Sequence, residues 1–95
     1  MTIEVHDEPD DNRFAIRVDG ELAGFARYVR KGGRIYFVHT EIDPTFEGKG
    51  LGSELAGRSL DAVRATGEPV VPLCPFIRSY IEQHAEYTDL VAPRT

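Results

Sequence analysis

The sequence predicts an α+β fold built on a mixed sheet, mostly antiparallel, with one parallel strand–helix–strand crossover. Three observations carry that prediction. Strand-like apolar segments fill the first forty-three residues, with clear period-two alternation at Phe14, Ile16 and Val18, separated by an acidic loop and two short glycine turns. A stripe at helical spacing follows, from Leu51 to Ala65. A short apolar run, Pro69 to Leu73, and a second helical segment come after it.

Thr2 to His6 forms a short strand, and the acidic run Asp7-Glu8-Pro9-Asp10-Asp11-Asn12 a loop. Phe14, Ile16 and Val18 alternate with Arg13, Ala15 and Arg17, the pattern of a half-exposed strand. Asp19-Gly20 is a two-residue hairpin signal, returning the chain as strand Leu22 to Arg30. Lys31-Gly32-Gly33 makes the next turn, and Arg34 to Asp43 is the longest strand. These last three strands form an antiparallel meander. Pro44 ends the third. In the helix that follows, Leu55, Ala56, Ser59, Leu60 and Val63 share a stripe, and Gly67 is placed to cap its end. A right-handed crossover sets strand 69–73 parallel to strand 34–43. Pro75 suits the first turn of a second helix, Phe76 to His84, with Phe76, Ile77, Tyr80 and Ile81 apolar. Tyr87 to Val91 is a candidate last strand.

Ninety-five residues suit one domain, 1–95, with a single modest core. The net charge of −5 argues against a broad nucleic-acid footprint, which needs surplus Lys and Arg. No apolar run approaches 18 residues, the opening Met-Thr-Ile-Glu-Val is no leader, and one cysteine, Cys74, makes neither a disulfide framework nor a cysteine-rich zinc site. The expectation is a cytoplasmic protein with no membrane partner and no metal.

The most informative stretch is Glu47-Gly48-Lys49-Gly50-Leu51-Gly52-Ser53, between the longest strand and the first helix. Alternating glycines bend the chain and let it lie close against another group. At a helix start, several N–H groups have no intrahelical acceptor, and the dipole favours an anion. A phosphate or pyrophosphate suits such a turn. The nucleoside-triphosphate P-loop is excluded, because no Gly-Lys-Ser or Gly-Lys-Thr follows four residues after a glycine. The dinucleotide fingerprint is excluded too, because Gly48, Gly50 and Gly52 are spaced two and two and antiparallel hairpins precede them.

The run from Thr40 to Leu55, with Ile42, Pro44, Phe46, Gly50 and Gly52 in place, resembles the acetyl-coenzyme A motif of the GNAT superfamily of N-acetyltransferases. Glu47 departs from it, standing where many members carry Arg or Gln. Pro72-Leu73-Cys74-Pro75-Phe76, with Tyr80 and His84-Ala85-Glu86-Tyr87, resembles the C-terminal signature of that superfamily's short single-domain branch, Ala85 replacing a more familiar proline. The two blocks cover roughly the second half of the chain. The resemblance implies a minimal GNAT-like fold with a splayed parallel strand pair. Acetyl-CoA, or CoA, would lay its pyrophosphate on the N–H groups of Gly48, Lys49, Gly50, Leu51, Gly52 and Ser53. Its pantetheine arm would lie along the main chain near Glu41 and Ile42, with Cys74 and Phe76 beside it. The two N-terminal helices usual in the superfamily find no place in this pattern, which implies an open, shallow acceptor site.

Four residues are candidates for the chemistry. Cys74 ends an apolar strand at a helix start, where the dipole favours a thiolate nucleophile, or it walls the site. Buried and inert packing is its bland reading. His39 and Glu41 are two apart on one strand and so share a face, with Phe37 on it too; either can take the proton from an ammonium acceptor, or the pair simply faces solvent. By the resemblance, Tyr80 protonates the departing thiolate, though it also sits on an apolar stripe. His84 and Tyr87 are expected to pack or cap the second helix, His6 to sit at the surface, and Lys49 to face solvent or phosphate.

The function expected is acetyl-CoA-dependent transfer of an acetyl group to a small-molecule or peptide amine, by direct attack or through Cys74. The alternatives are a non-catalytic CoA-binding sensor and a scaffold that binds nothing. The negative net charge fits a cationic acceptor, and the sequence is silent on oligomeric state.

Overall fold

The computed structural model describes residues 1–93. Strands β1 (Ile3–Glu8), β2 (Arg13–Val18), β3 (Glu21–Lys31), β4 (Arg34–Ile42) and β5 (Val70–Pro72) form one sheet in sequence order. The first four are antiparallel, and β5 runs parallel to β4. Helix α1 (Leu51–Thr66) makes the crossover, and α2 (Pro75–Gln83) follows β5.

Both hairpin turns are as the sequence implies. Asp19 and Gly20 have φ of 50° and 86°, and Gly32 and Gly33 have 60° and 79°, the double left-handed geometry whose twist matches the paired strands. The first strand is longer than its pattern suggested. Asp7 and Glu8 stay in register with Phe14 and Arg13, because Glu8 is held by Arg13 at 2.8 Å and Arg17 at 2.7 Å. Only Pro9–Asp11 turns, as a 3-10 segment. The expected last strand at Tyr87–Val91 is instead a 3-10 helix, Ala85–Leu90, with one bridge from Val91 to Val70. Tyr87 and Leu90 bury their side chains from that coil, so the apolar pattern reflects packing and not sheet pairing.

Both helices pack on one face of the sheet. Leu55, Ala56, Ser59, Leu60 and Val63 are buried on the predicted stripe, with Leu51 added at its head. They meet Phe14, Ile16, Tyr28, Ile35 and Phe37 from the sheet, where the Phe14 ring lies 5.4 Å from Tyr28 and 6.0 Å from Phe37. Gly67 ends α1 at φ 78°, its N–H donating to the carbonyls of Val63 and Arg64. Among the described residues, no helix packs on the opposite sheet face.

One irregularity decides which strand residues reach which face. Arg27 pairs with His39 and Tyr28 with Phe37, so Val38 is an extra residue in β4. Such a bulge shifts the period-two alternation by one. Phe37 therefore points into the core, while His39 and Glu41 point to the uncovered face. The expectation that all three share a face is overturned by this bulge.

Candidate functional site

The parallel ladder between β4 and β5 is three residues long, joining Ile35–Phe37 to Val70–Pro72. Its last tie is the Cys74 N–H donating to the Phe37 carbonyl at 2.8 Å. Beyond it β4 continues to Ile42 while the chain leaves as α2, opening a wedge. The Asp43 N–H donates to the Ala23 carbonyl at 2.7 Å. Antiparallel alternation from that bond turns the main-chain groups of Glu41 toward β3 and those of Thr40 and Ile42 toward the wedge. Of the two positions expected to offer main chain to the cofactor, Ile42 faces the wedge, with Thr40, and Glu41 faces β3.

Cys74 sits at the apex, buried, as the N-cap residue of α2. Its Sγ lies 3.4 Å from Thr40 Oγ1. Sequence reasoning missed Thr40 as a side chain of the site. The bulge at Val38 turns it inward, and nothing in the residue pattern marks that bulge.

The glycine turn follows a 3-10 segment, Pro44–Phe46, whose start is fixed by Asp43 Oδ1 accepting from the Thr45 N–H at 2.9 Å. Gly48 and Gly50 have φ of 81° and 72°, and Gly50 caps α1 without any side-chain acceptor for its amides. The Glu47 N–H donates to Pro44 and the Glu54 N–H to Gly50. Among the described residues, none of the six amides between them, Gly48 to Ser53, donates to a protein acceptor. Leu51 is buried and anchors the turn from below, while Gly48, Lys49, Gly50 and Ser53 are exposed. Lys49 is the one cation of the turn. The Glu54 carboxylate nearby is engaged by Arg58 at 2.9 Å.

Gly52 has a different reason to be small. A Cβ there would come within 2.9 Å of Phe76 Cζ. Gly57, farther along α1, would meet the Tyr80 hydroxyl at 2.7 Å. Phe76 and Tyr80 are a turn apart on α2, so these two glycines let α2 lie close across α1. Tyr80 thus sits in the groove between helices, its hydroxyl over Gly57. His84 stacks on it, ring centroids 3.9 Å apart, and the His84 ring Nδ1 lies 2.8 Å from the Tyr80 carbonyl, closing the helix end as expected. Burial, helped by Glu86, Asp61 and Glu54, pushes the Tyr80 phenol above its ordinary value, so it stays protonated at neutral pH. Tyr87 is pushed up as well, by burial and by donating to Asp61 at 2.8 Å.

His39 and Glu41 form an exposed pair, 3.7 Å apart, on the uncovered face. The Phe25 ring lies 6.2 Å from the His39 ring, flanked by the guanidinium groups of Arg13 and Arg27 at 5.8 and 5.6 Å. The candidates therefore fall into four places: the wedge apex, the amide turn with Phe76, the open-face pair and the interhelical tyrosine. His6 is exposed beside Glu4. Among the described residues no group of three or more His, Cys, Asp or Glu converges to hold a metal ion, and no helix is long and apolar enough to cross a membrane.

The fold is similar to that of a GCN5-like protein from Staphylococcus aureus solved in solution by NMR. The TM-score is 0.71 at 19% identity, covering 97% of this chain and 90% of that one. No curated protein matches the sequence at a comparable level. The family model described as GCN5-related N-acetyl-transferase matches residues 13–90, from the second strand through the last 3-10 turn. With residues 13–90 of its 95 inside that match, the chain belongs to the GCN5-related N-acetyltransferases.

Proposed function

We propose that the protein transfers an acetyl group from acetyl-CoA to an amine. The observation that carries this reading is the run of six undonated amides at the head of α1, opening beside the wedge where β4 and β5 part. Acetyl-CoA supplies an activated acyl group and a thiolate leaving group. Its diphosphate fits the amides of residues 48–53, where hydrogen bonds to a charged acceptor contribute about 1.5–3 kcal/mol each. Two or three of them, with the helix dipole, approach the roughly −8 kcal/mol of micromolar binding. Glu47 is exposed and free to point away, so its charge does not close the turn.

The pantetheine arm is received by the main chain of Thr40 and Ile42. The thioester end then lies near Cys74 and Thr40. An amine reaches it from the uncovered sheet face, where Glu41 and His39 are positioned to take its proton. Direct transfer needs only that both reactants be held within about 3–3.5 Å. The rival route passes the acetyl group through Cys74 Sγ. Tyr80, protonated but set over Gly57, serves the interhelical packing in this reading.

Calorimetry with CoA tests the binding step, and intact mass after incubation with acetyl-CoA tests the route. A gain of ~42 Da, lost in Cys74→Ala, indicates the acyl-cysteine path. Full turnover by Cys74→Ala excludes it. CoA binding with no acetylation across a broad amine panel identifies a sensor instead.

A further inference from the structure

The uncovered face holds a groove that the family reading does not use. It has a volume of about 580 Å³ and is lined by Val29, Tyr36, Val38 and Leu73, with Lys31 and Arg34 at one end. Val29 and Leu73 are 49% and 57% exposed, among the most exposed large apolar side chains of the molecule. Leu73 immediately precedes Cys74, so the groove begins at the wedge. No carboxylate lines it. In a chain of net charge −5, this is a local reversal of sign.

We propose that this groove seats the acceptor, and that the acceptor is a polypeptide segment in which the amine to be acetylated is followed by apolar residues and then, about four residues on, by an acidic one. The proposal rests on the acetyltransferase reading for its amine and on the groove for the rest. The charge argument selects the occupant. A second copy packed groove to groove sets Lys31 and Arg34 against their own like charges, and a polyamine adds cations to them, while an acidic segment is drawn in. Length selects the spacing. Val38 and Arg34 are four residues apart on β4, about 13 Å at roughly 3.3 Å per residue. An extended segment with its amine at the wedge therefore brings a carboxylate to Arg34 and Lys31 about four residues away. The apolar side chains between cover Leu73, Val38, Tyr36 and Val29. His39 and Glu41 stand at the amine end, which is the end that needs to accept a proton.

The test uses two fluorescein-labelled peptides, Gly-Lys-Leu-Thr-Leu-Glu-Glu and Gly-Lys-Leu-Thr-Leu-Lys-Lys, with fluorescence polarisation in low salt. The wild-type protein is expected to bind the acidic peptide at least tenfold tighter, and the preference to shrink in high salt. Lys31→Glu with Arg34→Glu is expected to reverse it, and Leu73→Ser to weaken both peptides. Equal binding of the two peptides, or an unchanged preference in the charge-reversed variant, overturns the proposal. So does sedimentation showing a dimer that Leu73→Ser dissolves, because a second copy then fills the groove. Mass analysis with acetyl-CoA separates this from the underlying reading. An acidic peptide that binds with the expected preference while neither it nor the amine panel gains an acetyl group leaves the groove standing and removes the transferase. Acetylation of both peptides at equal rates does the reverse.

Discussion

Gly50 offers the sharpest single perturbation of the amide turn. Its φ is 72°, and a Cβ built on it meets no atom within 4 Å. Any cost of substitution is therefore conformational and not steric. An L-residue held in the left-handed region costs roughly 1–2 kcal/mol, more when β-branched, while Asn tolerates it. Gly50→Val is expected to leave that region, which rotates the peptide units on either side and turns amides away from the diphosphate. Losing two charge-assisted hydrogen bonds at about 1.5–3 kcal/mol each removes about 3–6 kcal/mol, or roughly a hundredfold to ten-thousandfold in Kd. Gly50→Asn keeps the geometry and is expected within about tenfold of wild type. The assay is calorimetry of CoA against all three proteins, with urea unfolding to show that each is folded. A folded Gly50→Val protein binding CoA as tightly as wild type refutes the claim that these amides hold the phosphates.

Three further outcomes follow from the packing and the charges. Leu55→Ala, at a fully buried position, is expected to cost about 2–5 kcal/mol in urea unfolding, against no more than about 0.5 kcal/mol for Leu73→Ala on the open face. The Tyr28 hydroxyl donates to Asp7 and accepts from Arg30 at 3.0 Å, so Tyr28→Phe is expected to lose about 1–2 kcal/mol. Burial, with the Asp7 bond, pushes the Tyr28 phenol up to about 12 from its ordinary value near 10. A raised folded value means a contribution fully present below pH ~10 and lost as pH rises through ~12. The alkaline limb of a stability–pH curve over that window is therefore expected to flatten in Tyr28→Phe, and an unchanged limb counts against the assignment. Gly57→Ala is expected to push the Tyr80 ring outward from α1, visible as increased iodide quenching of tyrosine fluorescence that is absent when Tyr80→Phe is added; unchanged quenching shows that the helices simply part.

The sequence by itself determined the five strands, the two α-helices and their order. Asp19-Gly20 and Gly32-Gly33 demand left-handed turns, and the stripe from Leu55 to Val63 can bury only as a helix. Gly48 and Gly50 mark a turn whose backbone few other residues can take. Such signals are local, since they depend on φ and on side-chain period within a few residues. Tertiary structure decided what lies opposite what. The extra residue at Val38 sends Phe37 inward and His39 outward, and it brings Thr40 to Cys74 across 34 residues of chain. Gly52 and Gly57 read as turn or helix glycines, yet their smallness answers to Phe76 and Tyr80 on another helix. The run from Tyr87 to Val91 has the composition of a strand, but β5 is only three residues long, and Val91 makes a single bridge to it. A bulge and a helix crossing both follow from how distant segments share one core, and no residue carries that information alone.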